Sequence, residues 1–112
     1  MKDLRNRVQL IGNLGMDPDV KSFDGGRKLA KFSVATSQSY TDTKGERVKD
    51  TQWHNIIAWG KLAEIAEKYL KKGSEVALEG KLVYRTYETK EKQTRYMTEI
   101  VLNDFLMFSK KK

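Results

Sequence analysis

Thr51-Gln52-Trp53-His54-Asn55-Ile56-Ile57-Ala58-Trp59 runs without a break into Gly60-Lys61-Leu62-Ala63-Glu64-Ile65-Ala66-Glu67-Lys68-Tyr69-Leu70-Lys71-Lys72-Gly73. The period of the side chains changes at the join. Before Gly60, large apolar residues and their neighbours alternate with the period of two that a strand imposes. Trp53, Asn55, Ile57 and Trp59 fall on one face; His54, Ile56 and Ala58 fall on the other. After Gly60, Leu62, Ile65, Ala66, Tyr69 and Leu70 recur at i, i+3, i+4, i+7 and i+8, the apolar stripe of a helix. Glu64, Glu67, Lys68, Lys71 and Lys72 cover the remaining surface, and the lysines suit the negative end of the helix dipole. Gly73 is expected at the C′ position, and Tyr69 and the leucines are expected in the core.

Working outward, "RVQLIGNL" alternates as a first strand, with Val8, Leu10 and Gly12 on one side and Arg7, Gln9, Ile11 and Asn13 on the other. Pro18 in "GMDPDV" marks a turn. "VKSF" meets "DGG", where Gly25 or Gly26 is free to take positive φ in a hairpin turn. "KLAKFSVATS" is a second long strand with Ala30, Phe32 and Val34 on one side. "QSYTDTKGERVKD" is polar and reads as a long loop or a mobile hairpin. Beyond the helix, "SEVALEGKLVYRTYE" and "TRYMTEIVLNDFLMF" are two further strands with "TKEKQ" as the hairpin tip, and the terminal "SKKK" is expected to fray.

The sum is three strands, one short helix and two strands. This order predicts an all-β fold: a five-stranded Greek-key OB-fold barrel with one short helix between strands 3 and 4. An SH3-like barrel or a split sandwich would give similar strand signals, but the position of the single helix argues against both. With 112 residues the chain is one domain, expected over residues 1–109, with a short basic end at 110–112.

Lys and Arg number 22 against 15 Asp and Glu, a net charge of +7, which suits a polyanionic partner. The chain has no cysteine, which excludes disulfides, thiolate catalysis and cysteine metal sites. No run approaches membrane-spanning length and the N-terminus has no apolar signal core, so a cytoplasmic location and no membrane partner are expected. Catalysis and metal binding need converging polar groups. His54 is the only histidine, the carboxylates are scattered among lysines, and "DGG" is too short to cradle a phosphate. No enzyme activity, metal or cofactor is expected.

The two faces of the Trp53–Trp59 strand are both partly apolar, and only one can look into a small barrel. From this strand alone, the tryptophan face serves equally as core or as a surface for something flat. Tyr40 sits in a polar segment, and Tyr87 lies near a hairpin tip beside Arg85 and Glu88, so both are expected to be exposed; Tyr84 raises the same question. Exposed rings interleaved with Lys44, Arg47, Lys49, Lys61, Lys81 and Arg85 form the pattern that single-stranded nucleic acid requires. Bases stack on the rings, and the cations meet phosphates and release counterions.

"VQLIGNLGMDPDV", "FSVATSQSY", "TQWHNIIAWGKLAEIAEKYLKKGSEVALEGKL" and "RYMTEIVL" together make the chain resemble the bacterial single-stranded DNA-binding protein (SSB) family from about Asn6 to Asn103. The stretch from Trp53 to Gly80 is the most specific. The resemblance implies an OB-fold domain that binds single-stranded DNA in replication, recombination and repair, usually assembled as a homotetramer. It implies base stacking at Tyr40, Trp53, Trp59 and Tyr87, and a subunit-interface place for His54. Relatives often carry tryptophan at the first and last of these positions, phenylalanine at the third, and a basic residue where Asn55 stands. Family members usually continue into a Gly/Pro-rich tail with an acidic tip that recruits replication and repair proteins. This sequence ends at Lys110-Lys111-Lys112, so recruitment through such a tip is not part of the expectation. The alternatives are an OB-fold protein-assembly scaffold, with buried tryptophans, and an accessory form that binds RNA or single-stranded DNA.

Overall fold

The computed structural model describes residues 4–108; the expected fraying of "SKKK" and the basic end at 110–112 lie outside this range. Six strands and one helix follow in the order β1 (Val8–Leu14), β2 (Asp19–Ser22), β3 (Lys28–Thr41), β4 (Arg47–Trp59), α1 (Lys61–Tyr69), β5 (Glu75–Glu88) and β6 (Thr94–Met107). They form one sheet in the order β1-β5-β6-β4-β3-β2, and β1 also pairs with β3. That last pairing closes a barrel of five strands, to which the short β2 is appended along β3. Four of the five pairings within the closed barrel are antiparallel; the fifth, β4–β6, is parallel and brief, at Ile56↔Ile100 and Ile57↔Val101. The helix stands between the third and fourth barrel strands, as expected, and the closure excludes a split sandwich.

Closure rests on a close approach at Gly12. A Cβ on Gly12 would lie 2.1 Å from the Ala35 carbonyl oxygen, so any side chain there would push β1 off β3.

Alternation decides what fills the barrel. Ala30, Phe32 and Val34 of β3, Ile56 and Ala58 of β4, Val76 and Leu78 of β5, and Ile100 and Leu102 of β6 are all buried in one cluster. Burying one side chain the size of Ile56 contributes roughly 1.5–3 kcal/mol. Across the Glu79/Gly80 irregularity the register shifts, so that Glu79 faces Asp104 and Gly80 faces Leu102. The extra residue, Asn103, switches the inward set of β6 from Ile100 and Leu102 to Phe105, which packs against the core.

Helix α1 packs chiefly on β3 and β4 and buries Ala63, Ala66 and Leu70. Its inward face is rotated from the one the spacing suggests. Leu62 and Ile65 are half-buried and Tyr69 is exposed, its ring lying 5.4 Å from the Lys68 ammonium. A short helix against a small barrel mouth has room for alanines at the point of contact, and the larger side chains spread to the rim. The helix stops at Tyr69 with Leu70 as its C-cap, so Gly73 lies in the following turn instead of at C′. Lys28 of β3 donates to Glu67 at 2.8 Å and ties the helix to the barrel. This hydrogen bond, with the Glu67 charge, raises the Lys28 pKa above its ordinary value.

Of the two expected readings of "QSYTDTKGERVKD", the hairpin and not the long loop is found, with its turn between Thr41 and Arg47. β3 and β4 pair continuously from Leu29↔Trp59 to Thr41↔Arg47, so the hairpin projects as a two-stranded arm. Its turn is fastened by Asp42, whose Oδ1 accepts from the backbone N–H of Lys44 at 2.9 Å and of Glu46 at 2.8 Å. A second arm is formed by the ends of β5 and β6, with its turn at residues 89–93 as expected. Gly25 and Gly26 both take positive φ in the β2–β3 turn.

Candidate nucleic-acid interface

Because β3 and β4 pair without a register shift, residue parity on β4 is preserved along its whole length. Ile56 and Ala58 point into the barrel, so Arg47, Lys49, Thr51, Trp53, Asn55, Ile57 and Trp59 share the outer face. Trp53 is 61% and Trp59 41% exposed. Six residues of strand place the two rings roughly 20 Å apart along one surface. The tryptophans are therefore not core, which removes the reading that left them there.

Each ring has its own support. Trp53 lies against Gly15: a Cβ there would stand 2.2 Å from the ring carbon Cζ3. Trp59 is flanked by two residues of the β2–β3 hairpin. Its ring centroid is 6.2 Å from that of Phe23 at an interplanar angle of 30°, and the Arg27 guanidinium carbon is 5.1 Å from it. A cation over an indole at an exposed site contributes roughly 0.5–1 kcal/mol. Phe23 and Arg27 escaped the sequence reading. The signal for them was a bulky ring beside a polar glycine turn, where no core position was available.

Ile57 also lies on this outer face, yet it is only 7% exposed. It forms the floor of a shallow groove of about 260 Å³ whose walls include Lys31, Asn55, Arg85, Met97 and Glu99. No bulge turns it inward. An apolar floor between polar walls is how this face holds an isoleucine without exposing it.

The second barrel wall contributes Lys81, Val83, Arg85 and Tyr87, the outward residues of β5 beyond its irregularity. Tyr87 is exposed near the tip of the arm. Tyr40 is exposed too, but it pairs with Val48 and shares the parity of Phe32 and Val34. The structure thus gathers Trp53, Trp59 and Tyr87 on outward faces, and sets Tyr40 on the opposite face of the β3–β4 arm. Tyr84 and Tyr96 are exposed on the opposite face of the other arm, in register positions next to Thr98 and Thr86.

The cations differ in how they are held. Lys44 is at the β3–β4 turn, Arg47 and Lys49 share the face of Trp53, Lys61 opens α1 just after Trp59, and Lys81 lies on β5. All five are exposed. None has an ion-pair partner among the described residues. Arg85 is different: its Nε donates to Glu99 Oε1 at 2.6 Å and its Nη2 to Oε2 at 2.9 Å. That hydrogen bond first, and the charge second, raise the Arg85 pKa above its ordinary value.

His54 faces away from this surface. It pairs with Val34, is half-buried, and its Nε2 is hydrogen-bonded to Thr36 Oγ1 at 2.9 Å. Elsewhere, Ile11, Ala77 and Leu106 lie together on the outside of β1, β5 and β6, and Ile11 and Leu106 are largely exposed. Among the described residues no group of three or more His, Cys, Asp and Glu side chains could hold a metal ion. No helix among them is long and apolar enough to cross a membrane.

A closed five-stranded Greek-key barrel, with a helix between its third and fourth strands and exposed rings on its outer face, is an OB-fold domain. The sequence matches the Single-strand binding protein family over residues 5–108, and the chain belongs to that family. It is a family of DNA-binding proteins and not of enzymes. The chain is 48% identical over 102 residues to the single-stranded DNA-binding protein of Neisseria meningitidis serogroup B, covering 91% of this chain and 59% of that protein. It is 43% identical over 107 residues to single-stranded DNA-binding protein 1 of Chlorobaculum tepidum, covering 95% and 66%. The chain thus spans about two thirds or less of the length of these curated relatives. Its fold is similar to that of the Plasmodium falciparum SSB in complex with ssDNA, with a TM-score of 0.87, 33% identity, and coverage of 97% of this chain and 99% of that one. It is also similar to a deletion mutant of the single-stranded DNA-binding protein from Thermus aquaticus, with a TM-score of 0.79, 26% identity, and coverage of 93% and 50%.

Proposed function

We propose that this protein binds single-stranded DNA without regard to base sequence and protects it during replication, recombination and repair. The observation that carries this reading is the pair of exposed tryptophans on the outer face of β4, in line with unpaired cations. Trp53, Trp59 and Tyr87 stack bases, and each stacked base is worth roughly 1–3 kcal/mol whatever its identity. Tyr40 stacks on the strand where it crosses to the other side of the β3–β4 arm. Lys44, Arg47, Lys49, Lys61 and Lys81 meet phosphates, with Arg85 beside them in the groove. Family membership and the similarity to an SSB described in complex with ssDNA support the same conclusion.

The protein acts as a homo-oligomer, a tetramer being the family's usual form. Two features support association. β1 pairs with β5 along Val8–Asn13 but with β3 only at Asn13 and Leu14, so its other edge is open over Val8–Ile11. The Ile11, Ala77 and Leu106 patch is the kind of exposed apolar surface that a second copy covers. His54 sits on the face opposite the tryptophans and joins the subunit interface. The site of action is the nucleoid in the cytoplasm.

The test is a binding titration with labelled oligo(dT), a mixed-sequence DNA of equal length and its RNA counterpart. Equal affinity for the two DNAs, falling with salt, supports the reading. Preference for RNA points to the accessory form, because the 2′-OH is the systematic backbone difference. No binding at low salt leaves the scaffold.

A further inference from the structure

Glu99 is the one acidic residue of the proposed DNA face that is buried, at 4% side-chain exposure, while its partner Arg85 is half exposed. The contact is a two-point fork, Nε to Oε1 and Nη2 to Oε2, with the same Nη2 3.8 Å from Met97 Sδ. A carboxylate removed from water must be paired, and guanidinium geometry matches it on two points. Arg85 and Glu99 both line the groove floored by Ile57. Lys44, Arg47, Lys49, Lys61 and Lys81 carry no such partner among the described residues.

We infer that Glu99 withholds Arg85 from the DNA phosphates, so that the pair meets the strand as a planar, net-neutral element and not as a counter-charge. This rests on the DNA-binding reading above. Its consequence is a binding surface that releases fewer counterions than its count of basic residues suggests. Arg85 then serves as a flat donor beside the Ile57 floor, and Glu99 acts on DNA only through Arg85, as a positioning residue.

The salt dependence of oligo(dT) affinity reads this directly, because each phosphate neutralised on a single strand steepens the log–log slope by about 0.7. Three proteins are compared: the unaltered chain, Glu99→Gln, and the double variant Arg85→Gln with Glu99→Gln. Glutamine keeps the shape and an acceptor oxygen at position 99. Glu99→Gln is expected to bind more tightly at low salt and to steepen the slope by about 0.7, since Arg85 is freed. The double variant is expected to keep the original slope. An unchanged slope in Glu99→Gln, or a double variant shallower by about 0.7 than the unaltered chain, overturns the inference. A measurement that needs no substitution follows the Arg85 Nε–H by NMR during oligo(dT) titration of the unaltered protein. Its carboxylate-bonded shift and slow exchange are expected to persist to saturation, and their loss overturns the inference. Binding of oligo(dT) with either adverse result leaves the DNA-binding reading standing; no binding of the unaltered chain at any salt overturns both.

Discussion

The ring of Trp53 rests on the bare α-carbon of Gly15, close enough that a methyl group at that position would stand 2.2 Å from the indole. The loop after β1 therefore shapes the outer face of β4, and a residue with no side chain sets the orientation of the most exposed tryptophan. Gly15→Ala is expected to tilt or displace this ring while leaving the barrel folded. Oligo(dT) affinity should fall by an amount within the stacking range of about 1–3 kcal/mol, with little change in Tm. Calorimetric titration beside a thermal melt checks both halves.

Trp53 and Ile56 are three residues apart on β4 and point to opposite sides of it. Trp53→Ala is expected to weaken oligo(dT) binding by about 1–3 kcal/mol with the fold intact. Ile56→Ala leaves a cavity in the barrel and is expected to cost roughly 2–5 kcal/mol of stability. Chemical denaturation with parallel binding assays separates the two effects. A cooperative loss of structure on Trp53→Ala would sink the assignment of that ring to the surface.

Trp59 is held between neighbours that Trp53 lacks. Phe23→Ala is expected to loosen the Trp59 ring and lower its share of the binding energy, with no effect on Trp53. In single-tryptophan variants, Phe23→Ala should change the emission of a chain retaining Trp59 and leave that of a chain retaining Trp53 unaltered.

The apolar patch on β1, β5 and β6 predicts a change in assembly without loss of the stacking surface. Leu106→Glu places a charge beside Ile11 and Ala77 and is expected to shift the oligomer toward smaller species in sedimentation velocity. Each subunit should still quench on oligo(dT). An unchanged mass distribution would place the subunit contact elsewhere.

Much of the barrel was legible because one face of each central strand is uniformly apolar. Phe32 and Val34, Ile56 and Ala58, and Ile100 and Leu102 obey strict alternation, and the change of period at Gly60 located the helix. The arms were less legible because both of their faces meet water. Gln38, Ser39, Asp50 and Thr51 carry no apolar alternation, and the strands there are held by backbone pairing and one cross-strand side-chain contact, Ser37 Oγ to Thr51 Oγ1 at 3.3 Å. The β1–β3 closure is a long-range contact that local pattern does not encode, although Gly12 marks it in hindsight. Spacing puts Tyr69 in the core, but the barrel mouth takes Ala63 and Ala66 and leaves the ring outside. For the site, alternation put both tryptophans on one face without deciding which side that face was on. Parity also separates Tyr40 from them, which composition could not reveal. The Arg85–Glu99 fork joins residues on two strands, so Arg85 read as one more basic residue in a series.

The most direct measurement is tryptophan fluorescence of the Trp59→Phe variant, leaving Trp53 as the single reporter, during oligo(dT) titration at low and high salt. Deep quenching at low salt, with affinity falling as salt rises, is the expected result, because Trp53 then lies against a base on a surface studded with unpaired cations. A folded protein whose Trp53 emission does not respond to oligo(dT) at any salt would mean that the outer face of β4 is not where this protein meets DNA.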